Sequence, residues 1–78
     1  MVLEIISPEK QLFKGVIQYV QLPGTDGSFG VLDNHAPLIA SLKKGTVKIT
    51  SVTQQEQSFE INGGVVEVLN NQVIVLAG

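Results

Sequence analysis

The chain has 78 residues, 44% of them apolar and only 15% charged, with a net charge of −2. Its five basic residues are all lysine, so a nucleic-acid partner, which needs a basic patch, is excluded as a main role. With no cysteine, disulfides, thiolate chemistry and sulfur-ligated zinc are excluded too. This length makes one small domain, 1–78, which buries only about 60% of its unfolded surface. So few charges leave part of the surface to be covered by partners.

Val2 to Ile6 is a β-branched and apolar run that stops at Ser7-Pro8, and it reads as a strand. Gln11 to Leu22 alternates, with Val16, Val20 and Leu22 on one face and Ile17 and Tyr19 on the other. Gly15 interrupts it as a bulge or bend. Apolar residues on both faces predict that both faces are at least partly covered.

Leu22 to Leu38, LPGTDGSFGVLDNHAPL, is different in kind. It holds Gly24, Gly27, Gly30, Pro23, Pro37, Asp26, Asp33 and the only histidine, His35. Glycine admits backbone angles that other residues avoid and proline removes a ladder donor, so this is a shaped loop, with room for a short strand at Ser28–Leu32. Leu38 to Leu42 is too short for a stable helix and reads as a strand opened by Pro37. Lys43-Lys44-Gly45 reads as a solvated turn. Val47 and Ile49 alternate with Thr46, Lys48 and Thr50, and Phe59 and Ile61 alternate with Ser58 and Glu60, on either side of a polar turn at Thr53–Glu56. Asn62-Gly63-Gly64 reads as a turn needing positive φ, Asn70-Asn71 as a two-residue hairpin, and Val73–Leu76 as a central strand.

No window shows a 3.6-residue period. The elements add up to an all-β, two-sheet antiparallel β-sandwich of roughly eight to ten short strands. The predicted core is Val16, Val20, Leu22, Val47, Ile49, Phe59, Ile61, Val66, Val68 and Val73.

Catalytic chemistry finds little support. Asp33 and His35 could pair as a base and its orienting acid, but no nucleophile lies near them. Asp26, Asp33 and His35 fit no metal-loop spacing, and the loop glycines neither lead into a helix nor precede a phosphate-binding lysine. Phe29 either plugs one end of the core or is presented to a partner. From the residues alone, a stand-alone ligand-binding β-domain remains open.

The order of EIISPEK, YVQLPG, TDGSFGVL, DNHAPLIASLKKG, INGGVVEV and VIVLA resembles the N-terminal domain of the epsilon subunit of F-type ATP synthase, over Leu3 to Ala77. Asn34 stands where the family often has glycine, and Asn tolerates positive φ almost as well. The resemblance implies a non-catalytic rotor subunit, without cofactor, that helps couple proton flow to ATP synthesis. It would bind the gamma shaft and the proteolipid c-ring from the cytoplasmic face of a bacterial inner membrane. It places the ring contact at Asp26, Gly27, Ser28 and Phe29, and the gamma contact at His35, Leu38 and Ala40. Family members usually continue into a helical hairpin. A chain ending at Gly78 implies no hairpin, hence no nucleotide binding and no inhibition by helix insertion.

Overall fold

The computed structural model describes residues 1–78, all strand and connecting turn without helix. The strands are β1 (Val2–Ile6), β2 (Gln11–Gly24), β3 (Gly27–Leu32), β4 (Leu38–Ser51), β5 (Glu56–Leu69) and β6 (Gln72–Ala77). Their order is β1-β6-β5-β4-β2-β3, and β1 pairs with β2 as well, so the sheet folds back onto itself.

The three 14-residue strands cross from one layer to the other. The first half of β2 lies beside β1, while its second half lies between β3 and β4. The first half of β4 faces the second half of β5, whose other edge holds β6. One layer is therefore β3, β2, β4 and the start of β5. The other is the start of β2, β1, β6, the end of β5 and the start of β4. Counted by layer, each long strand serves twice, which reconciles six strands with the eight to ten segments in the sequence pattern.

Two predicted turns are absorbed into these long strands. Lys43-Lys44-Gly45 lies inside β4 and Asn62-Gly63-Gly64 inside β5, opposite each other in one unbroken register from Leu38↔Val68 to Thr50↔Glu56. The glycines have steric reasons. A Cβ on Gly45 would come within 2.8 Å of Pro23 Cβ. Gly63 and Gly64 keep the positive φ that their sequence demanded, at 113° and 146°, but use it to swing β5 between layers. Asn70-Asn71 does form the two-residue hairpin, both with positive φ, as a type I′ turn requires.

Sixteen side chains fill the space between the layers, among them Leu3, Ile5, Val20, Leu22, Val31, Val47, Ile49, Val66, Val68, Val73 and Val75. Eight of the ten predicted core residues belong there. Val16 does not, being 63% exposed, and Ile17 takes its place. The β2–β4 register shifts between Ile17 and Tyr19, which moves the inward phase from Ile17 to Val20 and Leu22. The irregularity expected at Gly15 thus falls three residues later. Phe59 is half-buried at the margin, edge-to-face with Phe13 at 5.7 Å between ring centroids.

Candidate interaction surfaces

The two outer faces differ in chemistry. Beyond the β3-β2-β4-β5 layer stand Gln21, Thr46, Lys48, Thr50, Ser58 and Glu60, the partners of inward Val20, Val47, Ile49 and Phe59 along each strand. They are tied to one another: Thr46 Oγ1 donates to Glu60 across the pair, and Gln21 Nε2 donates to Ser28 Oγ at 2.9 Å. The other layer turns out Val2, Val16, Ile39, Val65, Leu69 and Leu76. These are six of the eight large apolar side chains that the chain leaves exposed, so one face is wet and the other is suited to being covered.

The β2–β3 hairpin carries Asp26, Gly27, Ser28 and Phe29. Gly24 pairs with Gly27 across a Thr25-Asp26 turn. A Cβ on Gly24 would lie 2.5 Å from Gly27 O, and Gly27 sits at φ 130°, so both must be glycine for the loop to close this tightly. Asp26, Gly27 and Ser28 are exposed, while Phe29 is half-buried and packs against the core. Thr25 N donates to Ser41 O at 3.0 Å, docking the hairpin tip on β4. Between them a groove of about 390 Å³ is lined by Asp26, Gly27, Phe29, Ile39 and Ala40.

The Asp33-Asn34-His35 corner is held by its neighbours. The Met1 ammonium donates to Asp33 Oδ1 at 2.5 Å and to Ile17 O at 3.1 Å. Asn34, at φ 60°, donates its amide to Asn71 Oδ1 at 2.8 Å. His35 Nδ1 donates to Ala36 O at 2.7 Å. Asp33 and His35 thus serve different partners, and Asp26 and Asp33 bracket the six residues of β3 at opposite ends. The alternative acid–base and metal groupings are not brought together.

Leu38 and Ala40 lie on the inward side of the first stretch of β4, half-buried against the core, with Ile39 between them pointing out at 73% exposure. A second groove, about 350 Å³ and mostly apolar, is lined by Pro37, Leu38, Ile39, Val68 and Leu69. Sequence reading missed Ile39. It borders both grooves, linking the loop expected at the ring to the edge expected at the shaft. Its signal was a bulky apolar residue out of phase with its inward neighbours.

A small β-sandwich with one polar and one apolar outer face, and loop grooves meeting at one strand edge, has surfaces suited to contact with a partner. The family model for the ATP synthase delta/epsilon chain β-sandwich domain matches residues 1–78. An ATP synthase epsilon chain of Chlorobium limicola is 43% identical over 74 residues, covering 95% of this chain and 84% of that one. A chain in the Euglena gracilis mitochondrial ATP synthase superposes with a TM-score of 0.93 at 16% identity, with 99% of this chain and 49% of that chain covered. A chain in the Tetrahymena thermophila mitochondrial ATP synthase central stalk and c-ring gives 0.80 at 20% identity, covering 99% and 62%. The chain spans about half to three-fifths of the length of those two structural relatives, and at such identities they share the fold. The chain belongs to the ATP synthase delta/epsilon family and forms its β-sandwich domain. The epsilon chain is a non-catalytic subunit of its complex.

Proposed function

We propose that this chain is a rotor-stalk subunit that helps couple proton flow through the membrane ring to ATP synthesis. It binds the gamma shaft on one side and the proteolipid c-ring on the other, and so sits peripherally at the cytoplasmic face of a bacterial inner membrane. Asp26, Gly27, Ser28 and Phe29 meet the ring; His35, Leu38 and Ala40 mark the shaft-facing edge. The observation that carries this reading is the meeting of the two grooves at Ile39. It gives a 78-residue domain two contact regions side by side, in a chain whose family works in a rotary complex.

The test pairs two variants. Ile39→Glu puts a charge where a partner would desolvate it, with little effect on folding because the side chain is 73% exposed. In a pull-down with the gamma subunit the wild-type chain is retained, and Ile39→Glu loses at least about tenfold in affinity, or 1.4 kcal/mol. Ser28→Cys, on the exposed hairpin, cross-links to a cysteine in the polar loop of the c-ring within the assembled enzyme. Unchanged shaft binding by Ile39→Glu moves the shaft contact away from this edge. No cross-link from Ser28→Cys, with a shaft cross-link present, removes the hairpin from the ring contact.

A further inference from the structure

The two layers leave four free strand edges, and three of them are guarded. The start of β5 carries Glu56, and the start of β2 carries Lys14. The start of β4 follows Pro37 and gives its Ser41 carbonyl to Thr25 N. β3 is the fourth edge: it ends the strand order, with β2 as its only neighbour. Gly27–Leu32 holds neither a charge nor a proline, and its pairing with β2 runs without a bulge. The residues that close a two-residue turn exchange both backbone bonds. Gly27, Phe29 and Val31 therefore bond to β2, while Ser28, Gly30 and Leu32 turn their amides and carbonyls away from it. All three are exposed. Leu32 O accepts from His35 N at 3.2 Å and keeps a second lone pair.

Such an edge takes an extended strand, and a second β3 fits it in one register. A twofold axis at Gly30 sets Gly30 against its copy and Ser28 against the copy's Leu32, with Phe29 beside the copy's Val31 on the inward side. The acids that flank the strand avoid each other: Asp26 falls opposite the copy's Asn34, and Asp33 opposite the copy's Gly27. No side chain crowds the axis. A Cβ on Gly30 would lie 2.3 Å from Tyr19 Oη, so the Tyr19 ring covers the glycine from the outer face instead. Leu32, 60% exposed, is one of the two large exposed apolar side chains that lie off the apolar face, and pairing sets it beside the copy's Ser28. A second copy meets no charge on this edge and brings none, and the twofold closes the contact at two chains. We propose that the free chain pairs with a second copy through β3, joining two β3-β2-β4-β5 layers into one continuous sheet. A single strand pair buries less than the ~1,200 Å² of a stable interface, so this dimer is weak and reversible. The inference goes beyond the rotor reading and does not depend on it.

The chain has no cysteine, so Ser28→Cys and Leu32→Cys each carry a single thiol, both at exposed positions. The two variants are mixed in equal amounts at about 1 mM, where so small a contact begins to fill. A glutathione buffer lets disulfides exchange, and the linked dimers are counted by mass spectrometry. In the β3 pair, position 28 faces the copy's position 32 within disulfide reach, whereas like positions lie about 13 Å apart, beyond it. The mixed disulfide is expected at about tenfold or more over the two like disulfides together, against the equal amounts that random collision gives. Amide shifts of the wild-type chain should move with concentration at Ser28, Gly30 and Leu32. Ser28→Lys/Leu32→Lys sets lysine against lysine at both ends of the pair and should abolish the movement, with a dispersed spectrum showing the variant folded. A mixed disulfide no more abundant than the like ones overturns the inference, as does pairing that survives the double lysine variant. Wild-type shifts that stay constant with concentration leave this edge to a strand of another protein and overturn it, as do shifts centred on the β5-β6-β1 face. Failure of the gamma pull-down alongside a dominant mixed disulfide would count against the rotor reading only.

Discussion

Replacing Gly64 by alanine tests how the long strands build both layers. Gly64 lies in β5 between Leu42 of β4 and Ala77 of β6, at φ 146°. An added Cβ would stand 2.1 Å from Leu76 O, about 1 Å inside normal contact, and the obstacle is backbone rather than a side chain that can turn away. The positive φ alone costs roughly 1–3 kcal/mol for a residue with a side chain. Relieving the clash requires β5 and β6 to part locally, with the loss of at least one ladder hydrogen bond worth about 0.5–1.5 kcal/mol. The sum, roughly 1.5–4.5 kcal/mol, is a large share of the roughly 4–12 kcal/mol that a domain of this size holds. Gly27→Ala is the control. Its φ is 130°, yet nothing lies within 4 Å of its Cβ, so it carries the conformational cost without the collision. Urea unfolding followed by far-ultraviolet circular dichroism should give a midpoint for Gly64→Ala clearly below that of Gly27→Ala. If the two midpoints coincide, close approach at Leu76 is not what fixes glycine at 64, and the crossing of β5 needs another explanation.

The shifted register of β2 predicts that Ile17→Ala costs about 2–5 kcal/mol, while Val16→Thr stays within about 0.5 kcal/mol of wild type, both read from urea midpoints. Phe59→Ala should fall at or below about 3 kcal/mol, the low end for a phenylalanine truncation, because the ring is half-buried and its main aromatic partner is Phe13. A double-mutant cycle with Phe13→Ala should return a coupling of about 0.5–1.5 kcal/mol. Asn71→Ala removes both a residue suited to positive φ and the acceptor for Asn34 N, so it should destabilise by about 1–2 kcal/mol, whereas Asn71→Gly should restore only the turn.

Much of this fold is legible in the sequence because its strands keep a two-residue period. Val47 and Ile49, Val66 and Val68, and Val73 alternate with polar or outward residues, and each lies inside as the pattern requires. Tight turns were legible where their residues have one main use, as in Asn70-Asn71. Reading went wrong where one signal has two physical outcomes. Positive φ at Gly63 and Gly64 can reverse a chain or bend a strand, and only the unbroken pairing with β4 decides for bending. A bulge leaves no mark of its own. At Ile17–Tyr19 no glycine or proline announces the slip, so simple alternation gives Val16 the inward phase that belongs to Ile17. For the site, the hairpin Asp26–Phe29 was visible from its glycines, and Phe29 proves to pack against the core. Leu38 and Ala40, read from sequence as the shaft-facing edge, are half-buried and lean inward, and the most exposed residue of that segment is Ile39 between them.

The low charge and the two-sided apolar pattern of Gln11 to Leu22 have a common cause in the asymmetry of the two faces. In an isolated sandwich each strand should alternate inward apolar with outward polar residues. The β3-β2-β4-β5 layer does so apart from Leu32 at the end of β3, with Lys48, Ser58 and Glu60 facing water. The other layer does not: Val2, Val65, Leu69 and Leu76 face out where lysine or threonine would serve a free protein. Five lysines and seven acids wet one face and the loops, and on the second face they leave only Glu4, Glu67, Lys14 and Lys43 among exposed apolar side chains, a surface suited to being covered. A sequence shaped only for the stability of this domain would have no reason to keep that face apolar, since exposed apolar side chains there add nothing to the core and raise the risk of aggregation. The composition is therefore accounted for by an assembly in which one side of the sandwich is an interior surface.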